Sequence, residues 1–391
     1  MSTLNLQRAS TASADLTEAM LPTDCPPCGF GPARVPQFVT LACDDNADVE
    51  PMRWLMELLW GRRNPAGSGT SATFDGEPAR VSFYSCGRFL DKHEGLAEAH
   101  QDAFDQGHEI GNHSYHHPHG SGFSVEQWMN EIAACNEALM RAGIPLEAIY
   151  GFRVPYAEVN SSVYEALRRS GLIYDASIEE GFQSAMSGLN CLWPYTLDHG
   201  SPGNDFLVQR GVKKAVGQHS GFWQLGNSVV IVPPDYLSQH YGFERGLRDR
   251  VAEALKRNTA WGAAWRKHYG KLTGYDADIW FDAELQPNEV LATLKYTLDL
   301  RLAGNRAPFL YGAHFGCYPG TKPENRSVMR EFVDYALSQE AVRLVPAICV
   351  VEWMRKPHGL SCASFTPPTI SRKPEASLRS HHTRHPTPGS Q

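Results

Sequence analysis

The chain has 391 residues, of which 42% are hydrophobic and 20% charged, a balance typical of a soluble globular protein long enough for one large α/β domain or two ordinary ones. A net charge of −7 argues against nucleic acid or an anionic membrane as the main partner, because both favour a basic face. No run of about 18 apolar residues occurs, so no transmembrane helix is expected.

The first twenty residues, MSTLNLQRASTASADLTEAM, lack the apolar core of a secretory signal, which sets a cytoplasmic protein as the expectation. Nine cysteines pull the other way, and Cys25 and Cys28 form CPPC. No second CxxC follows, which disfavours a zinc ribbon. No βα pattern surrounds the pair, which disfavours a thioredoxin-like role. A disulfide with later cysteines and a pair of plain thiols in a loop both stay open.

Residues 1–34 read as an irregular N-terminal segment, with turn residues throughout LPTDCPPCGFGPARVP. Phe38 to Leu41 is a short apolar run rich in β-formers, a buried strand ending at Cys43–Asp44–Asp45. VEPMRWLMELLWGRR follows as a helix, ARVSFYSC as a strand and HEGLAEAHQDAFDQG as a helix stopped by Gly107. Ser124 and Gln127 form a capping box that opens the helix closed by Gly143. AIYGFRVPY is a strand into a loop, VYEALRRSG a helix and LIYDASI a strand. Such close alternation favours a parallel sheet or barrel. The aromatic-rich stretch around 200–280 breaks the rhythm and reads as an irregular insertion. The alternation returns with EVLATLKYTLDLRLAG, APFLYGAHFG, VMREFVDYALSQE and VRLVPAICVVEWM. Beyond these lies a Pro/Ser/Arg/His-rich tail, 357–391, expected to be disordered. The expected division is therefore 1–34, a catalytic domain over 35–356, and the tail.

Four stretches carry chemistry. In CDDN, the adjacent acids Asp44 and Asp45 end an apolar strand, at the face where parallel α/β domains place their sites. Their directions diverge, so one can ligate a metal while the other faces a water; a turn or helix cap is the plainer reading. GHEIGNHSYHHPHG holds five histidines, among which His113 and His117 have the i, i+4 spacing that brings two imidazoles onto one helical face. GFRVPY sets Arg153 beside a strand end, able to orient a carboxylate, with the Pro155–Tyr156 step aiming a backbone N–H into the cleft. APFLYGAHFG ends a late strand on His314, suited to a general acid. Each signal is modest alone; their order and their positions at strand ends strengthen them together.

These motifs resemble those of the polysaccharide deacetylases of the NodB-homology class, carbohydrate esterase family 4, and within it the insect-type chitin deacetylases. LACDDN is similar to the family's acid pair, HSYHHP to its His-Ser/Thr-x-x-His-Pro motif and RVPY to its Arg-x-Pro-Tyr motif. The N-terminal LPTDCPPC with VPQFVTL, the run Leu192 to Tyr195 and the run Asn305 to Pro308 resemble further features of the insect type. The likeness covers roughly residues 21–356. The chain departs from the family at Ala42–Cys43, where Thr-Phe is usual, and at Gly312, where leucine is usual; the second change bears on the shape of the acetyl pocket. Cys25 and Cys28 match disulfide cysteines of secreted relatives, so the resemblance points to secretion where the N-terminus points to the cytoplasm.

The resemblance implies an α/β fold, a distorted (β/α)-barrel, and hydrolysis of the N-acetyl group of an amino sugar in chitin or a related N-acetylated glycan. It implies that Asp45, His113 and His117 bind one divalent metal, zinc first, with cobalt, manganese or iron as alternatives. Asp44 would be the general base, held ionised by Arg153, the Tyr156 N–H would bind the oxyanion, and His314 would protonate the leaving amine. Trp193 would line the sugar groove. His108, His116 and His119 are not expected to be ligands, and Asp299 is read as part of a solvated helix face rather than as the partner of His314. Three other functions compete: an amidohydrolase acting on a small N-acyl compound, a non-catalytic carbohydrate-binding relative, and a non-haem iron oxygenase using the same ligand set.

Overall fold

The computed structural model describes residues 19–183, 185–209 and 216–360; residues 1–18 of the N-terminal segment and 361–391 of the expected tail lie outside them. In chain order the strands are β1 (Gln37–Asp45), β2 (Ser82–Ser85), β3 (Glu109–Asn112), β4 (Gly151–Phe152), β5 (Tyr174–Asp175), β6 (Glu179–Glu180) and β7 (Tyr195–Leu197). They continue with β8 (His219–Gln224), β9 (Asn227–Ser228), β10 (Val230–Ile231), β11 (Lys271–Leu272), β12 (Phe309–His314) and β13 (Val342–Leu344). Nine of them form one sheet in the order β12-β1-β2-β3-β4-β5-β8-β7, with β13 also on β1. Every ladder in this sheet is parallel except β7–β8. The intervening helices, such as Val49–Leu59, Val125–Arg141 and Pro323–Leu337, make this a distorted (β/α)-barrel.

β1 organises the barrel because it is apolar on both faces, the signature of a strand covered on both sides. Val39, Leu41 and Cys43 pack in the larger core cluster together with residues of the helices 49–59 and 323–337. Phe38 and Ala42 pack in a second cluster with Tyr84, Tyr174, Trp193, Trp223 and Trp353. The helix Ala347–Arg355 supplies several members of this second cluster.

The structure revises three local expectations. EIGN, which the sequence reading assigned to no element, is strand β3, and its buried Glu109 is satisfied by Ser82 Oγ at 2.6 Å and the Tyr174 hydroxyl at 2.5 Å. The stretch 200–280 is not decoration throughout, since β8 belongs to the main sheet and pairs with β5. LIYDASI contributes only the two-residue strand β5. The runs Leu192–Tyr195 and Asn305–Pro308 share one structural purpose. Asn305 Nδ2 donates to Asp24 O and Cys191 O, both at 2.6 Å, and Trp193 N donates to Thr23 O at 2.9 Å, tying the N-terminal segment to the barrel. Cys25 and Cys28 are exposed and form no disulfide among the described residues.

β13 is anchored by a buried ion pair, Arg343 Nη2 to Asp75 Oδ1 at 2.6 Å, with Thr73 and Ser68 also donating to the carboxylate. Asp75→Ala leaves that guanidinium buried without its counter-ion. It is expected to lower stability by about 3–5 kcal/mol in urea unfolding.

Candidate metal centre and active site

The C-terminal ends of the parallel strands meet at one cleft of about 950 Å³. β1 delivers two acids there in different directions because its end is bent. Asp45 and Asn46 have φ of 67° and 51°, a left-handed pair that turns Asp45 away from the strand. The Asn46 amide holds the bend, donating to Cys43 O and Tyr84 O, both at 2.9 Å. Asp44 stays in register opposite His314 of β12.

His113 and His117 do converge on Asp45, though not on a helical face as their spacing suggested. They sit in a loop after β3, with Ser114 at φ 65° and His117 at φ 57°. Pro118 follows His117 directly, and a residue before proline is disfavoured in the right-handed helical region. The loop is fastened elsewhere instead. Asn112 accepts from Ser114 N at 2.8 Å, Ser114 Oγ accepts from His117 N at 3.1 Å, and Glu131 Oε2 accepts from the backbone N–H groups of Tyr115 and His116 at 3.1 and 2.8 Å.

The residues fit a divalent cation on an observation of proton placement. His113 Nδ1 lies 2.7 Å from Arg153 O, which can only accept, so Nδ1 carries the proton. Burial pushes the His113 imidazole down to about 3, so it is uncharged near neutrality and its Nε2 is a bare lone pair. That lone pair faces Asp45 Oδ1 at 3.6 Å, and His117 Nε2 faces the same oxygen at 3.3 Å. Burial lowers His117 as well; burial opposes the charge on Asp45, but the imidazoles beside it more than offset this and keep its carboxyl below the usual range. The His113 lone pair and the Asp45 carboxylate, two acceptors facing one another, are stable around a cation. Ligands of one tetrahedral zinc lie about 3.4 Å apart when the bonds are near 2.0–2.1 Å.

By proximity alone, Cys86 joins Asp45 and His113, the donor atoms lying within 4.8 Å of one another. We favour His117 as the third ligand. Burial pushes the Cys86 thiol well above its ordinary range, and its S–H points at Asp45 Oδ1 at 3.7 Å and His113 O at 3.6 Å. It acts as a donor steadying the carboxylate.

Beside this trio lies a second set. Arg153 is 1% exposed, with Nη1 at 3.5 Å from Asp44 Oδ2 and its guanidinium between the rings of Tyr84 and Tyr275, at 5.2 and 5.1 Å. Burial pushes Asp44 up to about 6, a rise that the Arg153 and His314 charges restrain. Asp44 Oδ1 has no hydrogen-bond partner among the described residues. His314 Nε2 is 3.9 Å from Asp44 Oδ2.

The residue missed in the sequence is Asp276. Its Oδ1 accepts from His314 Nδ1 and its Oδ2 from His314 N, both at 2.7 Å. Burial opposes the charge on His314, but Asp276 outweighs it and holds the imidazolium at about 9. Gly312 explains how Asp276 arrives: Gly312 N donates to Gly274 O at 2.8 Å, and a Cβ at 312 would lie 2.6 Å from the Tyr275 ring. The glycine that replaces the expected leucine thus admits Tyr275 against Arg153. Asp299 has other partners, the hydroxyls of Tyr241 and Tyr335 at 2.7 and 2.6 Å.

Trp193 does not line the cleft. It is 1% exposed in the inner core and stacks on Trp353 at 5.8 Å. Its aromatic bulk fills the barrel, and the cleft wall takes Tyr156, Trp261 and Tyr275 instead. His108 is buried and accepts from Val81 N, and His116 pairs with Glu131, so neither points at Asp45.

Comparison with known proteins agrees with the motifs. Residues 71–174 match the family model described as polysaccharide deacetylase. Chitin deacetylase 8 of Bombyx mori is 26% identical over 181 residues, which cover 45% of this chain and 43% of that protein. A bifunctional xylanase/xylan deacetylase of Cellvibrio japonicus is 39% identical over 64 residues, covering 16% of this chain and 9% of that one. The chain therefore spans less than half the length of these two relatives. Among solved structures, a putative polysaccharide deacetylase from Mycobacterium smegmatis aligns over 91% of this chain and 99% of that one, with 16% identity and a TM-score of 0.48. The likeness to polysaccharide deacetylases in sequence is thus carried by residues 71–174.

The geometry predicts which histidines matter for metal. His113→Ala and Asp45→Ala are expected to abolish stoichiometric zinc binding in calorimetric titration, whereas His116→Ala leaves it at the wild-type level.

Proposed function

We propose that this chain is a metal-dependent deacetylase that hydrolyses the N-acetyl group of an amino sugar within a glycan, with chitin and its oligomers as first candidates. The observation that carries the reading is the convergence of Asp45, His113 and His117 on one volume, with a buried acid on one side of it and a histidine held charged on the other. The polysaccharide-deacetylase match over 71–174 supports the substrate class. Nitrogen and oxygen donors of this kind suit zinc, with cobalt, manganese or iron as further candidates.

A divalent ion bound there supplies Lewis-acid activation of water and of the acetyl carbonyl. The chain's own groups account for proton and charge movement. Asp44, with Oδ1 unpartnered and Arg153 favouring its ionised form, takes a proton from the attacking water. As the acetyl carbon becomes tetrahedral, the Tyr156 N–H donates to the oxyanion. His314 then gives its proton to the leaving nitrogen as the C–N bond breaks, yielding acetate and a free amino sugar. Asp276 keeps that proton in place until it is needed. Two titratable groups in one cleft are pushed to different values by their surroundings, which supports Asp44 as the base and His314 as the acid.

Acetate release from chitin oligomers tests the reading. Asp44→Asn is expected to retain bound metal and to lose about 10²–10⁴-fold in kcat. Wild-type protein that releases no acetate from any N-acetylated glycan contradicts it. The pH profile gives a second check. His314 donates only while protonated, so activity falls as the pH rises through about 9. Removing the Asp276 charge lowers that value, so Asp276→Asn is expected to move the alkaline limb to lower pH. An unmoved limb contradicts the assignment of His314.

A further inference from the structure

His119 lies two residues beyond a proposed ligand and is not directed at Asp45, yet it is built into the cleft wall. Its ring stacks on Tyr156, with centroids 3.8 Å apart and planes within 10°. Its Nδ1 lies 2.9 Å from Glu158 Oε1, and Glu158 Oε2 accepts from Ser121 N at 3.3 Å. The Tyr156 ring also meets the ring of His117 edge-on, at 4.5 Å and 66°. Glu158, His119, Tyr156 and His117 therefore form one continuous contact chain along the rim.

The backbone explains why such a chain is needed. Tyr156 and Ala157 have φ of 56° and 50°, two successive non-glycine residues in the left-handed region. That conformation is sparsely populated and persists only when the surroundings impose it. Tyr156 is 50% exposed, so core packing does not impose it. Relaxation of Tyr156 to negative φ would flip the Pro155–Tyr156 peptide, the unit that carries the oxyanion-directed N–H. It would also pull the ring off both imidazoles. The stack of His119 on Tyr156, with Glu158 fixing the His119 ring, opposes that flip.

We propose that His119 is a positioning residue: anchored by Glu158, it clamps the Tyr156 ring and so keeps the Tyr156 N–H aimed at the oxyanion. This rests on the deacetylase reading above. His119 touches neither substrate nor ion in this role, and it acts through Tyr156 alone.

The test compares wild type, His119→Ala and His119→Phe in steady-state acetate release from chitin oligomers, with bound metal quantified in each. The side chain of His119 is 70% exposed, so its truncation removes little packing. His119→Ala is expected to lose roughly 10-fold in kcat, because a displaced oxyanion donor weakens only the transition state. KM is expected to stay within about two-fold and metal content at the wild-type level, since ground-state binding does not use this N–H. His119→Phe keeps the stacking surface and is expected to return kcat to within about three-fold of wild type. The proposal is overturned if His119→Ala turns over like wild type, if the Phe variant is as impaired as the Ala variant, or if the Ala variant loses its metal. A wild-type protein without turnover would instead bring down the deacetylase reading itself, and His119's role with it.

Discussion

The structure turns on a carboxylate, Asp45, set opposite the lone pair of His113 and Nε2 of His117, two imidazoles whose charged forms burial disfavours. Without a cation, such an arrangement brings like partial charges together. Much of the local architecture can be understood as what holds it there. The Arg153 carbonyl fixes the His113 tautomer, the Asn46 amide fixes the bend that turns Asp45, and Glu131 fixes the loop that presents His117. The first two of these constraints come from the ends of β4 and β1 and the third from the helix Val125–Arg141, a convergence that a parallel barrel offers and an isolated helix does not.

A second consequence concerns protons. Asp44 and His314 lie in register on neighbouring strands, yet their surroundings differ. Asp44 is enclosed by the barrel wall and held by one guanidinium, so burial dominates and its carboxyl rises to about 6. His314 is also enclosed but has a dedicated carboxylate on its far nitrogen, so its charge survives to about 9. Near neutrality one group is ready to accept and the other to donate. Arg153, between two tyrosine rings, serves as the fixed charge that lets an acid at such depth ionise at all.

The sequence made the strand-end acids, Arg153 and His314 legible because an apolar run followed abruptly by a charged residue marks the edge of a parallel sheet. It misled where spacing stood in for backbone. An i, i+4 pair suggested a helix, but Pro118 and two left-handed residues make the same two rings meet across a loop. Strand β3 was hidden because a buried glutamate and asparagine make EIGN look polar, and their partners are remote in sequence. Asp276 was hidden for a similar reason. It lies 38 residues from His314 in a stretch with no periodicity, and only the close approach of Gly274 to Gly312 brings it in. The LTGYDAD run, with two acids just after the two-residue strand β11, was the available signal. Trp193 shows the opposite error: aromatic residues serve sugar grooves and barrel interiors alike, and composition cannot separate the two.

The central claim is that two imidazoles and one carboxylate hold a single ion while the nearby thiol of Cys86 stays out of the coordination sphere. X-ray absorption at the zinc edge of the zinc-loaded protein tests it directly. The account predicts only nitrogen and oxygen neighbours, at about 2.0–2.2 Å. A sulfur neighbour at about 2.3 Å, or a protein that retains no zinc to measure, would contradict it.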